Sequence, residues 1–61
     1  MISPVVQGQF DTLDRIAIAY WGKQMYFLQD DGSVYDRSRG DFISIDEAID
    51  RLTSEIWNTF E

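Results

Sequence analysis

The strongest constraint on the fold is an amphipathic pattern near the end of the chain, because it combines a start signal with a long apolar period. Ser44 and Glu47 have the spacing of a capping box, in which the serine oxygen accepts from the backbone N–H of Glu47 and the glutamate reaches back to Ser44. Apolar residues then recur at steps of three and four, which places them on one side of a helix. They are Ile45, Ala48, Ile49, Leu52, Ile56 and Phe60. The pattern predicts an amphipathic helix over residues 44–60.

Turn signals upstream divide the chain into short segments of β type. Gly22-Lys23 fits a two-residue hairpin turn, and Asp31-Gly32 is the strongest hairpin signal in the sequence. The segments beside these turns are rich in β-branched and aromatic residues, which suit a pleated surface. They are residues 15–21, 24–29 and 33–37. Sequential hairpins need no long crossover, so we expect an antiparallel meander.

The first of these segments also fits a helix. Four apolar residues in and before it recur at helical spacing: Leu13, Ile16, Ala17 and Tyr20. Asp11 would then be the N-cap and Gly22 the residue that ends the helix. Isoleucines and aromatics favour a strand, so we expect the strand and keep the helix as the alternative.

The resulting prediction is a single small α+β domain over residues 1–61, a three-stranded antiparallel β-meander with one C-terminal amphipathic helix (β-β-β-α). Its parts are an N-terminal arm over 1–13, the meander over 14–37 and the helix over 44–60. A chain of 61 residues without cysteine buries only about 60% of its unfolded surface, so its stability is marginal. Self-association, as a homodimer, is one way to stabilise it.

The absence of histidine and cysteine removes most catalytic chemistry. Nucleophile–base pairs usually need histidine, and zinc loses its usual ligands. Asp30-Asp31-Gly32-Ser33 lacks the ligand alternation of a calcium loop. We therefore expect no enzyme, no metal and no cofactor.

The charge balance indicates the kind of partner. Eleven acidic residues face five basic ones, for a net charge of −6. The bases are scattered, whereas phosphate backbones are bound by clusters of Lys and Arg. We therefore expect no direct nucleic-acid or membrane ligand. A protein with a basic surface is the better candidate, because opposite potentials speed encounter. The alternative is that the acidity only keeps the protein soluble.

The predicted acidic face lies mainly on the C-terminal helix, since neighbours three and four apart lie about 5–6 Å from one another. Asp46, Glu47, Asp50 and Glu55 would form it, and Asp30 and Asp31 would add charge at the hairpin turn. Such a face presents a DNA-like potential to a basic groove. A solvated helix face with acids at its start is the alternative interpretation.

A second candidate interface follows from the meander. One helix covers one face of the sheet, and the first two predicted strands carry apolar residues on both faces. An uncovered apolar face usually marks an interface. Trp21, Tyr26 and Tyr35 are its predicted anchors, because aromatics dominate binding hot spots. The alternative is that the N-terminal arm covers this face.

Two observations bear on location. The N-terminus lacks a basic region followed by an apolar stretch, and no apolar run approaches the ~20 residues of a membrane helix. A cytoplasmic location is therefore expected.

One stretch resembles a known family. Leu28-Gln29-Asp30-Asp31-Gly32, followed by Tyr35, Gly40 and a Ser-capped acidic helix, is similar to the small phage-encoded uracil-DNA glycosylase inhibitors of the shortest type. The resemblance implies a dimeric, acidic DNA mimic that occupies the DNA-binding groove of an enzyme in the host cytoplasm. That family has an aromatic near the start of its helix, where this chain has Ile45-Asp46-Glu47.

Together these features predict a non-enzymatic acidic module that binds the basic nucleic-acid-binding surface of another protein, such as a nucleic-acid enzyme. The alternative is a structural or assembly protein, a homodimer or small subunit, that docks through the apolar sheet face.

Overall fold

The computed structural model describes residues 1–60, which form two helices and three short strands. In chain order they are α1 (Pro4–Trp21), β1 (Tyr26–Leu28), β2 (Val34–Asp36), β3 (Asp41–Ile43) and α2 (Ile45–Thr59). The α+β class is confirmed. The predicted order β-β-β-α is wrong, and the observed order is α-β-β-β-α.

The residues predicted to form an arm and a first strand instead form one helix of 18 residues, α1. Ser3 caps its start, since its Oγ accepts from the Val6 N–H at 3.1 Å. Pro4 occupies the first turn, where its missing N–H would have had no helical partner. Gly22 ends the helix with a φ of 75° and donates its N–H to the Ile18 carbonyl at 2.7 Å. This left-handed conformation favours glycine.

The physical reason for the correction is an apolar row longer than the predicted strand. Its buried or partly buried members are Val6, Phe10, Leu13, Ala17 and Trp21. Over this length the period is helical, and packing of the row outweighs the β propensity of the isoleucines. The helical alternative is thus right about this segment and about Gly22. Its start is wrong, because the cap is Ser3 and not Asp11.

The sheet is an antiparallel meander in the order β1-β2-β3. The predicted strands 24–29 and 33–37 contain β1 and β2. β3 lies between the predicted meander and the predicted helix, where no strand was expected. The turn at Asp31-Gly32 is confirmed: Gly32 has a φ of 89° and donates its N–H to the Gln29 carbonyl at 3.0 Å.

The C-terminal helix is confirmed as α2, and half of its capping box is present. The Ser44 Oγ accepts from the Glu47 N–H at 3.1 Å. The Glu47 carboxylate does not return to Ser44, because its Oε2 accepts from the Arg51 Nη2 at 2.8 Å. The helix ends at Thr59, with Phe60 as its C-cap.

Both helices pack on one face of the sheet, and the core lies between the two layers. Each helix joins its strand through a short connection, α1 before β1 and α2 after β3, so the two helices run parallel to each other. The Tyr20 hydroxyl holds their C-terminal halves together by hydrogen bonding the Glu55 carbonyl and the Thr59 hydroxyl. The buried apolar residues are Phe10, Leu13, Ala17, Met25, Tyr26, Val34, Ile43, Ile45, Ala48 and Leu52.

Candidate functional site

The acidic residues fall into two groups, and Arg51 defines the first. Its Nη1 donates to the Asp36 Oδ2 at 2.7 Å. Its Nη2 donates to the Glu47 Oε2. Its Nη1 and Nη2 also donate to the two carboxylate oxygens of Asp41, at 3.0 and 3.1 Å. This bidentate geometry is the strong form of an arginine–carboxylate contact. One arginine on α2 therefore ties the helix to β2 and β3.

Asp36 is the buried member of this group. Its side chain is 3% exposed, against 47% for Asp41. Its Oδ1 accepts from the backbone N–H groups of Ser38 at 2.8 Å and Arg39 at 3.3 Å. Because a buried carboxylate must have partners, Asp36 supports both the β2–β3 turn and the docking of α2.

The electrostatics of the cluster follow from these contacts. The hydrogen bond from Arg51 holds the pKa of Asp41 below its usual range. In return, Asp41 first and Asp36 second raise the pKa of Arg51 well above its usual value. Burial, and then the charge of Asp36, raise the pKa of Tyr26. Asp36, Asp41 and Glu47 thus serve the fold, and their charge is partly neutralised.

The second group is the exposed part of α2. Asp46, Asp50 and Glu55 are exposed, and within residues 1–60 they form no ion pair. Asp46 and Asp50 lie four residues apart, on one row of the helix. Trp57 follows Asp50 by two turns and is 67% exposed. We call Asp46 and Asp50 the acidic row, and Trp57 lies in line with it.

Glu55 lies around the helix from the acidic row and lines a polar groove of about 440 Å³. Asp50 and Glu47 line the same groove, together with Arg39 and the edge of Trp21. The structure therefore brings the four predicted acids of α2 to one helix but not to one row, and it places a basic side chain beside them.

Asp30 and Asp31 lie in the β1–β2 turn, away from the polar groove. Asp31 is a turn residue: its Oδ1 accepts from the Ser33 hydroxyl at 2.6 Å and from the Ser33 N–H at 2.9 Å. The hydroxyl contact first, and the backbone contact second, lower the pKa of Asp31. The strand register places this turn toward the end of the sheet where α2 begins, so both aspartates lie toward the end of the molecule that carries Asp46.

The predicted apolar interface is not assembled as expected. Tyr26 is 2% exposed and belongs to the core. Trp21 is half-buried and packs edge-on against Tyr26, with ring centroids 6.0 Å apart. Tyr35 alone lies on the open face of the sheet, between Phe27 and Phe42 in the strand register.

That open face carries an aromatic stripe that the sequence prediction missed. Phe27, Tyr35 and Phe42 follow one another across the three strands, with ring centroids 6.4 and 5.1 Å apart. Phe42 is 67% exposed. If residues 41–43 had been predicted as a strand, Tyr35 and Phe42 could have been placed on the same face of the sheet.

The second missed feature is an apolar groove between the two helices. It has a volume of about 410 Å³ and opens on the side away from the sheet. Its lining contains no charged residue: Gly8, Gln9, Thr12, Leu13, Ile16, Ile49, Leu52, Thr53 and Ile56. The sequence prediction could not place this groove because it had no helix over residues 4–21.

No family model, curated protein or solved structure matches this chain. Among the described residues, no helix is both long and apolar enough to cross a bilayer. In residues 1–60, no cluster of carboxylates is arranged to hold a metal ion. The site is therefore defined by its geometry: an acidic helix row with an exposed tryptophan.

Proposed function

We propose that this chain is a non-enzymatic module that binds the basic, nucleic-acid-binding surface of another protein. The observation that carries the proposal is the acidic row of α2, whose carboxylates are exposed and unpaired within the described residues, beside an exposed tryptophan. The protein would act in the cytoplasm, which for a phage-encoded inhibitor is that of the host.

The charge density of α2 supports the proposal and sets its limits. The helix has 15 residues and is therefore about 22 Å long. The acidic row contributes two exposed carboxylates, Asp46 and Asp50, about 6 Å apart along the axis, against one charge per about 3.4 Å along one DNA strand. Glu55 lies around the helix on the polar groove, and Glu47 is paired with Arg51. The electrostatic potential is therefore weaker than that of DNA, so charge steers the encounter and apolar contact must supply much of the affinity.

Trp57 is the side chain best placed to supply that contact. It lies on the same helix row as Asp46 and Asp50, and most of its surface is exposed. Tryptophans at the centre of an interface typically contribute 2 kcal/mol or more, about 30-fold in affinity. Rim charges contribute about 0.2–1 kcal/mol each. The carboxylates would thus select a basic partner, and Trp57 would hold it.

The test uses variants that separate the position of charge from its amount. Asp46→Asn with Asp50→Asn raises the net charge by two, and so does Asp11→Lys on α1. We expect the double variant to bind a captured partner about tenfold more weakly at low salt. Asp11→Lys should bind nearly as well as the parent. Equal losses for both would show that only net charge matters and would contradict a specific acidic row.

A second candidate function is supported by the aromatic stripe. Under this alternative the chain is a small subunit or assembly protein that docks through Phe27, Tyr35 and Phe42 on the open sheet face. Such an interface would hardly respond to salt, because screening acts on exposed charges separated by about 8–10 Å or more. Phe42→Ala should then abolish binding, whereas Trp57→Ala should not.

A further inference from the structure

The polar groove beside α2 contains two aromatic rings. They belong to Trp21 and Tyr26, with ring centroids 6.0 Å apart and ring planes inclined at 60°. α2 lines the groove on one side, and the β2–β3 turn with Arg39 lines it on the other. Its volume of about 440 Å³ lies within the ~300–1,000 Å³ that is usual for small-ligand sites. The groove can therefore accept a long side chain of another molecule.

The Tyr26 hydroxyl is the polar group of this groove that has no partner in the described part of the chain. Tyr26 is 2% exposed, and the Gln24 Nε2 donates to its backbone carbonyl at 3.3 Å. The hydroxyl makes no hydrogen bond within residues 1–60, and its oxygen is not sealed from the surface. Because buried polar groups normally have a partner, the hydroxyl points to a ligand that enters the groove.

The charges around the hydroxyl favour a cation. Four carboxylates and two guanidinium groups line the groove. Two of the carboxylates are paired with Arg51, and the other two, Asp50 and Glu55, form no ion pair within residues 1–60. Burial first, and the charge of Asp36 second, raise the pKa of Tyr26, while Arg51 opposes this effect and Glu55 adds to it. A positively charged group beside the hydroxyl therefore meets free carboxylates.

We propose that the polar groove binds the guanidinium group of an arginine side chain from the partner protein. This inference rests on the proposed function, which gives the partner a basic surface. A guanidinium is planar, stacks on aromatic rings and carries five N–H donors. In the groove it lies against the ring of Trp21 and donates to the Tyr26 hydroxyl oxygen and the Glu55 carboxylate. A lysine ammonium is compact and strongly hydrated, so it matches these groups less well.

Asp50 and Arg39 define how this arginine enters. Asp50 belongs to the acidic row and also lines the groove, so a protein that covers the row brings its side chains to the mouth of the groove. Arg39 is exposed and forms no ion pair within the described residues. Its charge opposes a cation, so the groove binds a guanidinium less tightly with Arg39 than it would without it.

The test is a titration of the full, isotope-labelled chain with N-acetyl-arginine amide at constant ionic strength, read from the indole N–H of Trp21 by NMR. We expect a dissociation constant in the millimolar range, as is usual for so small a probe. N-acetyl-citrulline amide, the uncharged isostere, should bind at least tenfold more weakly, and N-acetyl-lysine amide several-fold more weakly. Equal binding of the three probes, or an indole signal that stays unchanged up to about 50 mM of the arginine probe, would overturn the inference.

Four variants test the named contacts. Tyr26→Phe removes only the hydroxyl, so it should leave the melting temperature unchanged and weaken binding of the arginine probe about three- to tenfold. Glu55→Gln should weaken it several-fold, whereas Asp11→Asn, which removes the same charge on α1 outside the groove, should not. Arg39→Gln should strengthen binding about twofold. A Tyr26→Phe variant that melts lower but binds the probe normally, or an Arg39→Gln variant that binds more weakly, would contradict the proposal.

These results separate the groove from the proposed function. Probe binding that requires Tyr26 and Glu55 supports the groove even if affinity capture yields no nucleic-acid-binding protein, a result that would count against the proposed function alone. A captured nucleic-acid-binding protein that Tyr26→Phe and Glu55→Gln hold as tightly as the parent does would overturn the groove alone.

Discussion

Asp36 offers the clearest test of the division between structural and exposed acids. Replacing it with alanine removes a carboxylate that is 3% exposed and that accepts from Arg51 and two backbone N–H groups. Removing one partner of a buried ion pair costs about 3–5 kcal/mol. We expect the lower end, about 3 kcal/mol, because Arg51 keeps Asp41 and Glu47.

That loss is large for a domain of this size. A total stability of about 0.05–0.15 kcal/mol per residue amounts to roughly 3–9 kcal/mol for this chain. Each kcal/mol shifts the midpoint of a small domain by about 4–8 °C. Asp36→Ala should therefore lower the melting temperature by about 12–24 °C, or unfold the protein at room temperature.

The assay is thermal unfolding followed by circular dichroism at one fixed protein concentration, because any dimerisation would make the midpoint depend on concentration. Asp41→Ala is the matched control, since its side chain contacts the same guanidinium but is 47% exposed. It should shift the midpoint clearly less, by roughly 4–8 °C, because a half-exposed pair contributes much less than a buried one even with bidentate geometry. Equal shifts for the two variants would refute the argument that burial sets the importance of these acids.

Two further predictions concern the titration of the carboxylates. Burial first, and the charge of Asp11 second, raise the pKa of Asp14, and its Oδ1 is buried without a hydrogen-bond partner. Asp14→Asn should therefore stabilise the fold at pH 7 by about 0.5 kcal/mol. The gain should shrink as the pH falls and vanish below about pH 4, where the folded and the unfolded states both hold the proton; a gain that persists at low pH would contradict this reason. The pKa values of Asp31 and Asp41 are lowered instead. These two groups contribute stability above the ordinary carboxyl pKa of about 4 that is lost as the pH falls through their folded values. Urea titrations from pH 7 to pH 2 should show this loss reduced in Asp31→Asn and Asp41→Asn, and an unchanged loss would refute the assignment.

The sequence predicts α2 well because several signals agree there. A serine cap, a long apolar period and acids in the first turn all indicate the same helix. α1 could not be separated from a strand in the same way. Ile16, Ile18 and Tyr20 alternate as in a strand, and only the continuation of the period back to Phe10 and Val6 distinguishes the helix.

β3 lies at the limit of sequence-based prediction for a different reason. It has three residues, Asp41–Ile43, of which only Ile43 is buried. So short a segment has no periodicity to detect, and the loop residues before it hide its start. Arg51 on α2 also contacts Asp36 of β2 and Asp41 of β3, and this tertiary contact leaves no local signal in the sequence.

In the candidate site, too, contacts within one helix could be predicted from the sequence, whereas contacts that depend on the sheet could not. The pairing of Glu47 with Arg51 follows from their spacing of four residues and could have been predicted. The convergence of Asp36 and Asp41 on Arg51 could not, because it depends on the sheet. Trp57 could have been assigned to the exposed row, since it lies outside the apolar stripe and seven residues after Asp50.

The measurement that tests the central claim most directly is affinity capture from bacterial lysate with the parent chain as bait, challenged with duplex DNA. We expect capture of a nucleic-acid-binding protein that is released by DNA and by high salt, and that the Asp46→Asn, Asp50→Asn double variant captures poorly. A partner that resists both DNA and salt, and that the double variant retains fully, would contradict the acidic row as the binding site.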